Sequence, residues 1–135
     1  MASIRKEIFI DALPETVWEA VRDVGEVHRR LVPGVVVATR LEGGARIVTF
    51  ANGAVVRELL VDLDDATRRF AYAAVDGRAT HHNVSIQVFA DGNGRSRVVW
   101  ITDVLPNELA GPVGALVEQG SAVMKRTLEK RCSSG

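Results

Sequence analysis

From Ser3 onward, apolar and polar side chains alternate in short runs that break at small or turn-forming residues. The breaks fall at Gly43-Gly44, Asn52-Gly53, Asp64-Asp65, Asp76-Gly77 and Asp91-Gly92-Asn93-Gly94. Runs rich in Val, Ile, Thr and aromatics between such signals read as strands joined by hairpins. The pattern predicts strands over residues 3–11, 35–41, 45–51, 54–63, 69–74, 80–90 and 95–103. At Asn52-Gly53 it predicts a two-residue type I′ turn, which takes positive φ at both central positions.

Three segments leave the period of two. Pro14 with Glu15 beside it suits the first turn of a helix, and Val17, Trp18 and Val21 then share a face. A second short helix is predicted over residues 24–31, stopped by Pro33-Gly34. Near the C-terminal end, Leu109, Val113, Leu116, Val117, Gly120, Val123, Met124 and Leu128 recur at helical spacing. That helix is expected to begin at Pro112 after a loose turn over 106–110, and to fray over 132–135. The order β-α-α-β-β-β-β-β-β-α defines an α+β fold: an antiparallel sheet of about seven strands, curved around one long C-terminal helix to cover its apolar stripe. Such a grip leaves a space between sheet and helix, where a ligand would sit.

The chain of 135 residues suits a single domain over 1–135. Its 17 basic and 17 acidic side chains cancel, so it lacks the basic excess of a nucleic-acid binder and no nucleic-acid partner is expected. Arg29-Arg30 and Arg68-Arg69 are too short to track a phosphate backbone. The first residues form no apolar leader, and no apolar run reaches the roughly 20 residues of a membrane span, so a cytoplasmic location is expected. The lone Cys132 has no partner for an internal disulfide.

His81-His82 does not read as a metal pair, because neighbours in a strand point to opposite faces; neither metal nor cofactor is expected. Gly92-Asn93-Gly94 precedes a strand, so it lacks the helix N-terminus of a phosphate cradle. The strand faces are more informative. His82, Val84, Ile86 and Val88 share one face; Val98, Trp100 and Thr102 share another; Phe70 and Tyr72 form a third inward set. Residues 54–63 leave two alternatives. Alternation alone turns Val55, Arg57, Leu59, Val61 and Leu63 inward; the other choice is Val56, Glu58, Leu60 and Asp62. Either one buries a charge, which is costly without a partner and marks a functional cavity.

The string Arg57-Glu58-Leu59-Leu60-Val61-Asp62-Leu63-Asp64-Asp65, followed by Arg68, Tyr72, Gly77 and Asn83, resembles the START, or helix-grip (SRPBCC), superfamily. Ile10-Asp11-Ala12-Leu13-Pro14-Glu15-Thr16-Val17-Trp18, with the later Val99-Trp100 and Pro106, is most similar to its polyketide cyclase/dehydrase and lipid-transport branch. The resemblance implies a helix-grip fold with two short helices between the first two strands. Plant abscisic acid receptors share part of the pattern, which implies that Glu58 and Tyr72 face the cavity. Their gate loop is replaced here by Ala51-Asn52-Gly53-Ala54 and their latch histidine by Ala79, so that kind of hormone sensing is not expected. Aromatic polyketide cyclases of this fold hold their substrates with Arg, Tyr, Trp and His, to which Arg46, Tyr72, His82 and Trp100 correspond.

The implied function is binding of a small, largely apolar molecule, of lipid, isoprenoid or polyketide type. Its expected contacts are Val56, Glu58, Leu60, Phe70, Tyr72, His82, Val84, Ile86, Trp100, Leu116 and Gly120, with Glu58 and His82 orienting it and Gly120 leaving it room. One alternative is a cyclase or dehydratase in which Glu58 or His82 takes a proton and Tyr72 or an Arg steadies the enolate. Pairing of Glu58 with a buried Arg would weaken that alternative. A further alternative is a protein-interaction module with a collapsed cavity. A monomer or weak homodimer is expected in each case.

Overall fold

The computed structural model describes the backbone of residues 2–134 and the side chains of residues 2–130. Strand β1 (Ala2–Ile10) leads into α1 (Pro14–Arg22) and the single turn α2 (Val27–Arg30). Six strands follow: β2 (Val36–Glu42), β3 (Ala45–Phe50), β4 (Val55–Asp64), β5 (Arg69–Val75), β6 (His81–Ala90) and β7 (Ser96–Leu105). A 3-10 turn (Asn107–Leu109) then opens into the long helix α3 (Ala110–Ser134). All seven strands form one antiparallel sheet in the order β1-β7-β6-β5-β4-β3-β2. The sheet is open, with β1 and β2 as its edges. This is the α+β helix-grip arrangement that the sequence pattern and the resemblance imply.

The differences from expectation are local. Helix α3 starts at Ala110, so Pro112 lies inside its first turn and not at its start. Proline is accommodated there because the first amide groups of a helix have no intrahelical acceptor. Helix α2 is shorter than the predicted 24–31. The β3–β4 hairpin is not a two-residue type I′ turn: the Gly53 amide donates to Phe50 O at 2.9 Å and the Phe50 amide donates to Ala54 O at 2.8 Å. Of the two central residues only Gly53 has positive φ, +90°. That is the three-residue alternative, a turn closed by a left-handed glycine. The fraying expected over 132–135 is not what the backbone shows, since α3 continues through Ser134; residue 135 lies outside the described residues.

The core lies between the inner sheet face, α1 and α3. Val17 and Val21 are buried from α1, Met124 and Leu128 from α3, and Val88 and Val98 from the sheet. Trp18 pins α1 to the β4–β5 turn, its Nε1 donating to Asp65 Oδ1 at 2.8 Å. Lys6 on β1 reaches Glu118 on α3 at 3.0 Å, and the Asp11 amide donates to Glu129 at 2.9 Å. The helix is thus tied to the β1 side of the molecule both at Glu118 and at Glu129, while Leu116 is exposed. No helix among the described residues is long and apolar enough to cross a membrane.

Candidate functional site

Between the inner sheet face and α3 lies a cavity of about 410 Å³. Aliphatic side chains dominate its wall, including Val27 from α2 and Leu31 just after it, Val48 from β3, Val84 and Ile86 from β6, and Val117 from α3. Residues of α2 were not foreseen there. Their signal was available in the Val24–Leu31 segment, but nothing in the local pattern says which way a one-turn helix faces. Among the described residues, no group of three His, Cys, Asp or Glu side chains comes together to hold a metal ion.

The charged part of the wall comes from β3 and β4. Arg46 and Glu58 stand directly opposite each other in the ladder. Arg46 Nε donates to Glu58 Oε1 at 2.6 Å, and the two residues are only 4% and 7% exposed. The guanidinium also lies over the rings of Tyr72, at 4.7 Å, and Phe70, at 5.1 Å. This settles the ambiguity of residues 54–63. The even-numbered face of β4 turns inward up to Leu60, and Arg57 turns outward to pair with Glu42 at 3.0 Å. Alternation failed here because the outward side of β4 is the apolar one, with Val55 64% and Val61 63% exposed.

Burial pushes the Glu58 carboxyl above the ordinary carboxylate range, while the charge and hydrogen bond of Arg46 pull it back. Burial, reinforced by the Glu58 charge, raises the Tyr72 phenol far above its usual value, so it stays protonated. Burial, and then the neighbouring His81, hold the His82 imidazole below its ordinary 6.5. His82 is thus a neutral imidazole at pH 7.

Of the residues named from sequence, Val56, Glu58, Tyr72, His82, Val84, Ile86, Trp100, Leu116 and Gly120 border this cavity. Leu60 and Phe70 do not; Phe70 is sealed in the core with its ring 5.4 Å from that of Tyr72. Arg46, named as a cyclase counterpart, also borders it. Gly120 serves a different neighbour from the one expected: a Cβ there would stand 3.0 Å from Trp100 Cη2. The indole takes the room that the missing side chain leaves.

The sequence profile of the polyketide cyclase / dehydrase and lipid transport family matches residues 1–131, and the chain belongs to that family. No curated protein matches it. Solved structures share the fold. Norcoclaurine synthase from Thalictrum flavum is 19% identical with a TM-score of 0.76, over 99% of this chain and 87% of that one. A START superfamily protein from Mycobacterium smegmatis is 14% identical with a TM-score of 0.73, over 98% and 97%. A Thermobifida fusca protein is 26% identical with a TM-score of 0.78, over 99% and 95%.

Proposed function

We propose that the chain, acting as one domain over residues 1–135, binds a small, largely apolar molecule between its sheet and α3. The observation that carries this is the cavity itself. Its volume of about 410 Å³ falls within the roughly 300–1,000 Å³ of small-molecule sites, and its wall is mostly aliphatic with a few polar groups among them. Lipid, isoprenoid and polyketide skeletons match such a wall. Val56, Tyr72, Val84, Ile86 and Trp100 would supply contacts, Leu116 the entrance, and Glu58 and His82 the polar orientation. A collapsed interior serving only as scaffold does not fit an open space of this size.

The family name also embraces cyclases and dehydratases, and one observation favours that second reading. Glu58 is committed to Arg46 and is poorly placed as a base. His82, neutral at pH 7, is a competent proton acceptor, and the protonated Tyr72 is a competent donor to a developing enolate. Native mass spectrometry of the purified protein, before and after denaturing extraction, tests the primary reading. A stoichiometric apolar adduct is the expected result. A ligand-free mass, together with no thermal shift across lipids and polyketide mimics, would move the function to the outer surface.

A further inference from the structure

We propose that β7 carries an oxygen-recognition site within this cavity, formed by Thr102 Oγ1 and Trp100 Nε1, which selects an uncharged ligand bearing a carbonyl-type acceptor oxygen. The inference deepens the binding function proposed above and rests on it. Trp100 and Thr102 are two residues apart on the inward face of β7, opposite Ile86 and Val84 of β6, and both border the cavity. Thr102 is 1% exposed. Neither Thr102 Oγ1 nor Trp100 Nε1 has a hydrogen-bond partner among the described residues.

Elsewhere the protein satisfies such groups. The buried hydroxyls of Ser96 and Ser121 donate to Ala12 O and Val117 O at 2.6 Å, and Trp18 Nε1 donates to Asp65. The third unpartnered atom, Arg30 Nε, lies away from the cavity on a guanidinium held by Asp23 at 2.8 Å. A buried polar atom left unpaired costs about 1–3 kcal/mol. Valine has the shape of threonine and would fill position 102 without that cost. Two such atoms on neighbouring inward residues of β7, both of which border the cavity although the two atoms themselves are covered, are therefore a site awaiting its partner.

Their chemistry defines that partner. An indole N–H only donates, so the ligand atom must accept; the threonine hydroxyl can donate to the same oxygen. The ligand's charge follows from the rest of the wall. Arg46 is already neutralised by Glu58, and Arg78 borders the cavity only from the exposed turn after β5. A carboxylate would thus enter beside Glu58 with no unclaimed buried cation. A neutral ketone or ester on an apolar skeleton fits; a fatty acid does not. Gly120 holds this site in place by letting the Trp100 ring seat against α3.

Displacement of 1-aminoanthracene by 9-fluorenone, fluorene and fluorene-9-carboxylate, three tricycles of similar shape, tests the assignment. Fluorenone is expected to bind about tenfold more tightly than fluorene, the worth of one to two neutral hydrogen bonds, with the carboxylate weakest. Thr102→Val should leave the Kd of fluorene unchanged and cut the ketone preference to about threefold or less. Trp100→Phe provides an independent second variant. Equal affinity for fluorenone and fluorene, or a ketone preference that survives both substitutions, would overturn the oxygen site while leaving the apolar cavity intact. A fall of more than about 4 °C in the Tm of ligand-free Thr102→Val would also overturn it, by showing the hydroxyl already bonded. Failure of all four compounds to bind removes the cavity function as well.

Discussion

Arg46 and Glu58 show how one residue's partner decides what it does. Removing Glu58 strands a cation among Phe70, Tyr72 and aliphatic side chains. Glu58→Ala is therefore expected to lower stability by about 3 kcal/mol, measured as a shift in urea midpoint. Replacing both, Arg46→Met with Glu58→Leu, should recover most of that loss, because two apolar side chains leave no charge behind. A double variant as unstable as the single one would contradict this account. His82 gives a pH signature. Its imidazole binds protons less readily folded than unfolded, so the unfolded chain takes up more protons as the pH falls below 6.5. Stability is then fully present above that value and declines as the solution is acidified through the window beneath it. His82→Leu should flatten the decline, read from denaturation midpoints at a series of pH values; an unchanged slope would count against the burial of this ring. The inward set of His82, Trp100 and Tyr72 was legible from alternation alone. The orientation of Glu58 was not, because β4 turns its apolar residues outward, and only the family resemblance pointed the right way.

Elements were more legible than contacts between them. Turn residues announced the hairpins, by left-handed glycines at Gly43, Gly53, Gly92 and Gly94 and by Asp and Gly pairs elsewhere, and the helical period of α3 is legible from Leu109 to Leu128. What local pattern cannot contain is a meeting of elements far apart in sequence. Gly120 reads as a gap in an apolar stripe; its role appears only when β7 brings Trp100 against it. Gly120→Ala should push the indole toward the cavity and weaken 1-aminoanthracene binding by about tenfold or more. The gain of about 1 kcal/mol in helix propensity offsets part of the strain, so stability should change little. An unaltered affinity would show that the ring moves elsewhere. Gly53→Ala is expected to cost about 1 kcal/mol with an unchanged m-value, since φ of +90° in the β3–β4 turn opposes a side chain.

At the scale of the molecule, Leu116 borders the cavity and is itself exposed, so the cavity meets solvent beside the second turn of α3. Binding there links occupancy to folding: a ligand at a hundred times its Kd should add about 2.7 kcal/mol to stability, read as a rise in Tm that grows with ligand concentration. The inverted polarity of β4 has a separate consequence for how the chain finds its alignment. Slipped by one residue against β3, this strand would bury Val55, Leu59 and Val61 and release Glu58 to water, by apolar burial alone the better bargain. The same slip sets Arg46 against Arg57 or Leu59, a stranded cation in either case. The ion pair thus proofreads the hairpin: it stabilises the native alignment modestly and penalises the competitor heavily. The apolar double variant, though stable, loses this discrimination and is expected to show two sets of β3–β4 amide signals where the native chain shows one.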